Sequence, residues 1–317
     1  MSDLVFVGLS TFAAESREPL ELLEQSGFPF RVHSTGKRIT GEELVAAASD
    51  AAVIIAGVEP YDAALLAQLP QLKCISRCGV GVDAIDLPDA RRRGIAVANT
   101  PEIPAHAVAE LALAMFLSLS RNFPRQMHLM AARRWERVPS HLLMGRTVGL
   151  IGFGRIGRRV AGLCQAFGCQ VLAADPQVEP ATAESQGVRL VSTEDLLASS
   201  DIVSIHASKS GTGGALIGPR EMAAMKPGAI LVNLSRGDMV DEAALLDALN
   251  SGHLSAAGLD VFPSEPYAGP LCDLQQVLLT PHSATLPLET RVAMEMQCVA
   301  NGIDFLRGSL DPACRVC

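Results

Sequence analysis

Short apolar runs rich in Val, Ile and Ala alternate with helix-period segments along almost the whole chain. The runs predict strands at residues 4–7, 52–56, 72–76, 95–98, 147–152, 170–174, 202–206, 229–233, 256–260 and 277–280. Helical patterns fall between them, notably at 42–48, 104–120, 157–167, 241–249 and 288–306. Strands that are apolar throughout, separated by helices, imply parallel sheets covered on both faces. Two such units are expected, with a cleft between them. One covers residues 1–98 and takes back the final helix, 286–317, as a discontinuous domain; the other covers 99–285. The apolar stretch 103–119 carries His106 and Glu110 and reads as a buried helix, not a membrane span.

The second unit opens on TVGLIGFGRIG, a strand running into Gly152-x-Gly154-x-x-Gly157 and then a helix. The first glycine allows a tight turn, the second lets backbone approach a pyrophosphate, and the third lets helix pack on strand. The next strand ends at Asp175, eighteen positions beyond Gly157, where a carboxylate can accept from ribose hydroxyls. Pro176 and Gln177 follow, with no cation to neutralise a 2′-phosphate, so NAD is expected over NADP.

Three polar residues follow three later strands: Arg236 after AILVN, Glu265 after AAGLD and His282 after VLLT. Ligands of doubly wound sheets bind beyond the carboxyl ends of strands, so the three can share one crevice. A guanidinium can fork onto a carboxylate and polarise the neighbouring carbonyl. An imidazole backed by a carboxylate can hold a proton near neutral pH. That set suits hydride transfer to a 2-oxo acid.

SRCGVGVDAID (76–86), NTPEIPAHAVAE (99–110), GLIGFGRIG with Asp175, MKPGAILVNLSRGDMVDEAAL (225–245), AAGLDVFPSEP (256–266) and TPHSAT (280–285) resemble the D-isomer-specific 2-hydroxyacid dehydrogenase family, in its phosphoglycerate-dehydrogenase-like branch. The resemblance implies a flavodoxin-like substrate domain and a Rossmann NAD-binding domain. It also implies Arg236, Glu265 and His282 as the catalytic set, and Asp260 against the nicotinamide carboxamide. Cofactor contacts are implied at Gly152, Gly154, Arg155, Ile156, Gly157, Asp175 and Pro176. Further ones fall at His206, Ala207, Ser208, Leu234, Ser235, His282 and Ala284. The Cys78-Gly79-Val80-Gly81 loop would hold the substrate carboxylate on backbone N–H groups, together with Arg236.

Ser208 and Gly213 stand where the family often has Pro and Thr. AGVEPY (56–61) lacks the cation that contacts a substrate phosphate, with Arg77 as a substitute, and Glu265 argues against formate as substrate. Two other readings stay open: an NAD-sensing corepressor-like interaction protein, and a family dehydrogenase acting on phosphite or a phosphonate.

Composition narrows the partners. The 317 residues are 49% hydrophobic and carry a formal charge of −8, with no basic run beyond Arg91–Arg93. Nucleic acid is therefore not expected as partner. No leader or membrane segment is read, and the eight cysteines suit a reducing compartment, so a cytoplasmic protein is expected. No histidine spacing suggests a metal site, and Cys314-x-x-Cys317 is expected in a frayed tail. His206 is expected to line the cofactor cleft or cap backbone. The family resemblance implies a homodimer, supported by helix 104–120 and the Trp135 segment.

Overall fold

A computed structural model describes residues 3–33, 35–208 and 214–317. The first unit comprises Met1–Pro104 and Thr285–Cys317. Its strands are β1 (Leu4–Val7), β2 (Phe30–Val32), β3 (Ala51–Ala56), β4 (Cys74–Arg77) and β5 (Ala96–Ala98), all parallel in the order β2-β1-β3-β4-β5. β3 reads AAVIIA and is buried at every position, as a central strand covered on both faces must be. Its alternation sends Ile54 into one core with Leu66, Leu69 and Ile75. Val53 and Ile55 enter the opposite core with Met294, Cys298 and Ile303 of the last helix, Leu288–Arg307.

The second unit, Ala105–Ala284, holds β6 (Thr147–Ile151), β7 (Gln170–Ala174), β8 (Arg189–Leu190), β9 (Ile202–Ile205), β10 (Ala229–Asn233), β11 (Leu254–Leu259) and β12 (Val277–Leu279). These form one parallel sheet in the order β12-β11-β10-β9-β6-β7-β8. Met115 and Leu119 of the helix Pro104–Ser120 cover one face with Val148 and Leu150, while Val203, Ile205, Leu231 and Leu245 fill the other. Both units are thus α/β with doubly wound parallel sheets. Among the described residues, no helix is long and apolar enough to cross a membrane.

The unit boundary falls at Pro104/Ala105, not 98/99, because residues 99–104 remain tied to the first unit. Asn99 donates its N–H to the Cys314 carbonyl, Thr100 N–H donates to Gly79 O, and Asn301 Nδ2 donates to Asn99 O. Thr285 likewise belongs with the last helix. The expected frayed tail is corrected too. Arg315 forms an antiparallel bridge to Ala98, and Val316 N–H donates to Val97 O at 2.7 Å. Cys314 is buried, because an otherwise open strand edge offers the tail its unpaired backbone groups.

Candidate active site

The glycine turn leaves β6 with Gly152 at φ +97°. A Cβ there would stand 2.6 Å from the Ala207 amide nitrogen, and one on Gly157 would stand 2.3 Å from the Gly152 carbonyl oxygen. Both positions therefore require glycine for packing alone. Gly154 differs: nothing lies within 4 Å of its Cβ position, and it caps the helix Arg155–Ala166. The first N–H groups of that helix, at Arg155, Ile156 and Gly157, have no intrahelical acceptor and face the space above Gly154 with the positive end of the dipole. This cradle fits a pyrophosphate.

Asp175, after β7, braces the turn. Its Oδ2 accepts from Phe153 N–H at 2.8 Å and its Oδ1 from Gln177 N–H at 2.9 Å, while Pro176 is exposed. Each carboxylate oxygen keeps a lone pair for a ribose hydroxyl. His206 and Ala207 follow β9, the neighbour of β6, and close against Gly152. His206 Nε2 pairs with Ser204 Oγ at 2.9 Å, not with backbone, and its buried Nδ1 has no partner. Burial lowers its pKa to about 4. Ser208 is exposed, and Gly213 lies outside the described residues.

Arg236, Glu265 and His282 follow β10, β11 and β12, three adjacent strands. Asn233 shapes the first loop: its Nδ2 donates to Arg236 O, and its Oδ1 accepts from Ser235 N–H and Oγ. Arg236 Nη1 donates to Ser235 O at 2.7 Å. A Cβ on Gly237 would stand 1.9 Å from the Phe262 carbonyl carbon, so glycine lets the Arg236 loop press on the loop that carries Glu265. Glu265 Oε1 accepts from Phe262 N–H, and its Oε2 lies 2.9 Å from His282 Nδ1. This contact leaves Nε2 as the outward nitrogen of a half-exposed ring.

His282 sits at φ +51°, in the left-handed region. Asp260, 1% exposed, holds it there. The Asp260 carboxylate accepts from Thr280 Oγ1, Ser283 N–H and Oγ, and Ala284 N–H, while its carbonyl accepts from His282 N–H at 2.8 Å. Both carboxylate oxygens are thus engaged within the loop, a clamp that sequence spacing does not reveal. Leu234 and Ala284 are core residues here.

In the first unit, the Gly79 amide donates to Thr100 Oγ1 at 2.9 Å, and Asn99 Nδ2 donates to Val80 O. The expected nest of amides is therefore already occupied at Gly79. Cys78 is buried beside it. Residues 56–61 contain no cation, yet the Arg38 guanidinium donates to the Val58 carbonyl and brings one to that loop from another segment. Glu59, also in that loop, is buried and accepts from Gly57 N–H and Tyr61 Oη, each at 2.8 Å. Among the described residues, no group of three or more His, Cys, Asp or Glu could hold a metal ion.

A parallel sheet with a glycine cradle, an acid bracing that turn from the end of the next strand and an imidazole–carboxylate pair at neighbouring strand ends defines a dinucleotide-binding α/β protein. The chain belongs to the D-isomer specific 2-hydroxyacid dehydrogenase family: residues 113–284 match the model of that family's NAD binding domain. It is 44% identical over 245 residues to the D-3-phosphoglycerate dehydrogenase of Mycobacterium tuberculosis, covering 76% of this chain and 46% of that relative. It is 36% identical over 271 residues to the glyoxylate reductase of Thermococcus litoralis, covering 82% of each. A solved glyoxylate reductase from Paecilomyes thermophila superposes with a TM-score of 0.90 at 29% identity, over 99% of this chain and 98% of that one. The chain spans about half the length of the phosphoglycerate dehydrogenases it matches.

Proposed function

We propose that this protein is an NAD-dependent dehydrogenase interconverting a small 2-oxo acid and its (R)-2-hydroxy acid. The observation that carries the reading is the Glu265–His282 pair, joined at 2.9 Å on the sheet that also bears the glycine cradle. Held at the Gly152–Gly157 turn and Asp175, NADH would supply the hydride that the substrate carbonyl carbon needs. His282 Nε2 holds the proton that the new hydroxyl requires, and returns to that state by taking one from solvent. Glu265 at Nδ1 fixes the ring's tautomer and orientation. Arg236 holds the substrate carboxylate and polarises the reacting carbonyl. Asp260 acts as a positioning residue, keeping the strained His282 backbone in place. Asp175 receives the ribose hydroxyls and repels a 2′-phosphate.

In the first unit, Val80 and Gly81 carry the loop's candidate anion donors, since the Gly79 amide is taken by Thr100. Glyoxylate, hydroxypyruvate and 3-phosphohydroxypyruvate are the substrates to test; Arg38, which donates to the Val58 carbonyl, is a cation that the 56–61 loop could present to a phosphorylated one. A cytoplasmic homodimer is part of the reading. Phe123, Met127, Met130, Trp135, Leu142 and Met144 are all exposed along the helix Phe123–Ala131 and the segment after it, an apolar surface that a second copy would cover.

The test is turnover of NADH with these 2-oxo acids, run alongside His282→Ala. The variant should lose about 10²–10⁴-fold in kcat while its NADH Kd stays within about twofold. Tight NADH binding with no turnover on any acid would instead favour an NAD-sensing interaction protein.

A further inference from the structure

The loops that carry Arg236, Glu265 and His282 are not held alike. Asn233 grips the first and Asp260 the third, each a buried polar side chain at the end of β10 or β11. Between them, Pro263, Ser264, Glu265 and Pro266 are all exposed, so packing of their own side chains does not fix where Glu265 stands. This loop is closed at its base instead. Phe262 before it is buried, and its ring stacks on that of Tyr267 after it, with centroids 4.3 Å apart and planes inclined by 16°. Phe262 N–H is also the donor to Glu265 Oε1 at 3.1 Å, so the stack and the carboxylate share one residue.

Tyr267 then reaches a second element. Its Oη donates to Glu242 Oε1 at 3.0 Å, in the first turn of the helix Glu242–Asn250, and accepts from Leu271 N–H at 3.3 Å. The ring is half-buried against the core that Leu245 and Leu271 also fill. Gly269 makes room for it: a Cβ there would stand 2.3 Å from Tyr267 Oη. Burial, with Glu242 beside it, pushes the Tyr267 pKa up to about 12, so the hydroxyl stays a donor well into the alkaline range.

We propose that Tyr267 is a positioning residue for the Glu265–His282 pair: its stack on Phe262 and its bond to Glu242 hold the Glu265 carboxylate where it meets His282 Nδ1. The proposal rests on reading that pair as the proton-holding group. The chain of contacts runs Glu242–Tyr267–Phe262–Glu265–His282, every link inside the second unit. Without the hydroxyl one end of the loop is released, the carboxylate moves off Nδ1, and the ring is no longer confined to the tautomer that turns Nε2 outward. The glycine cradle follows β6, with β9 and β10 between it and β11, so NADH affinity serves as an internal control.

Two readouts separate positioning from plain stabilisation. The first is the His282 tautomer, read by nitrogen NMR of isotope-labelled histidine rings and assigned by its loss in His282→Ala. At about pH 9 an ordinary imidazole is neutral and Tyr267 keeps its proton. The parent should then show one His282 tautomer and Tyr267→Phe a mixture. The second is turnover with the 2-oxo acids. Here kcat should fall about 10- to 100-fold in Tyr267→Ala and roughly threefold in Tyr267→Phe, with KM and NADH Kd within about twofold. Tyr267→Phe keeps the ring stack and serves if the alanine variant folds poorly. Glu242→Gln, which retains an acceptor oxygen, should match the parent. Glu242→Ala should match Tyr267→Phe, and the double variant should be no worse than either single one. An unchanged tautomer in Tyr267→Phe, or additive losses in the double variant, would overturn the proposal. Turnover of no 2-oxo acid by the parent would fail the proposed function, while the tautomer still decides whether Tyr267 positions the pair.

Discussion

Each sheet has one point where strand order reverses, and the two are finished in opposite ways. In the second unit it lies between β6 and β9, where Gly152 packs against His206 and Ala207 and Gly154 faces open space. In the first unit it lies between β1 and β3, and Glu59 closes it. The Glu59 Oε1 lies 3.2 Å from where a Cβ on Gly8 would be, and is bound by Gly57 N–H and Tyr61 Oη. Parallel sheets of this class bind ligands at such reversals. The same topology thus yields a nucleotide site where glycine leaves room, and a packed polar plug where a side chain fills it.

Adding a methyl group at the open reversal should do the most damage. Gly152→Ala must move backbone at Ala207 and also hold alanine at positive φ, so NADH affinity should drop at least a hundredfold by fluorescence titration. Gly154→Ala, which meets nothing, should keep the same melting temperature. Asp175→Ala should weaken NADH by about 1.5–3 kcal/mol, the worth of a charged hydrogen bond, and should narrow the preference for NADH over NADPH in kcat/KM.

The His206 ring sharpens the contrast through pH. Unfolded, it takes a proton near pH 6.5; folded, it resists until about 4. Stability should therefore fall as pH drops through that window. His206→Gln should remove ~1–3 kcal/mol of that slope in denaturant titrations from pH 7 to 4. The smallest effect is expected at the plug. Glu59→Gln should cost about 1 kcal/mol in urea unfolding and leave the NADH Kd unchanged. A large change in NADH binding there would end the comparison.

Much of this was legible in the sequence because the signals are local. The long apolar strands, the glycine spacing, Asp175 and the order of Arg236, Glu265 and His282 all sit within short windows. What escaped depends on chain segments meeting from a distance. β2 and β8 are short edge strands whose residues are exposed or half-buried, so hydrophobic pattern alone does not mark them. Glu59 looks like a solvated charge until Gly57 and Tyr61 enclose it. The family resemblance implies Asp260 against the nicotinamide carboxamide, whereas its oxygens here accept from the His282, Ser283 and Ala284 amides. The docked tail was invisible because the edge it covers is made elsewhere in the chain.

The left-handed backbone at His282 has an evolutionary side. A residue with a β-carbon pays ~1–2 kcal/mol to stand there, and glycine would not. Relief of that strain would favour glycine wherever the imidazole is not needed, so a glycine at this position in a relative would mark a scaffold kept without the proposed proton-holding group.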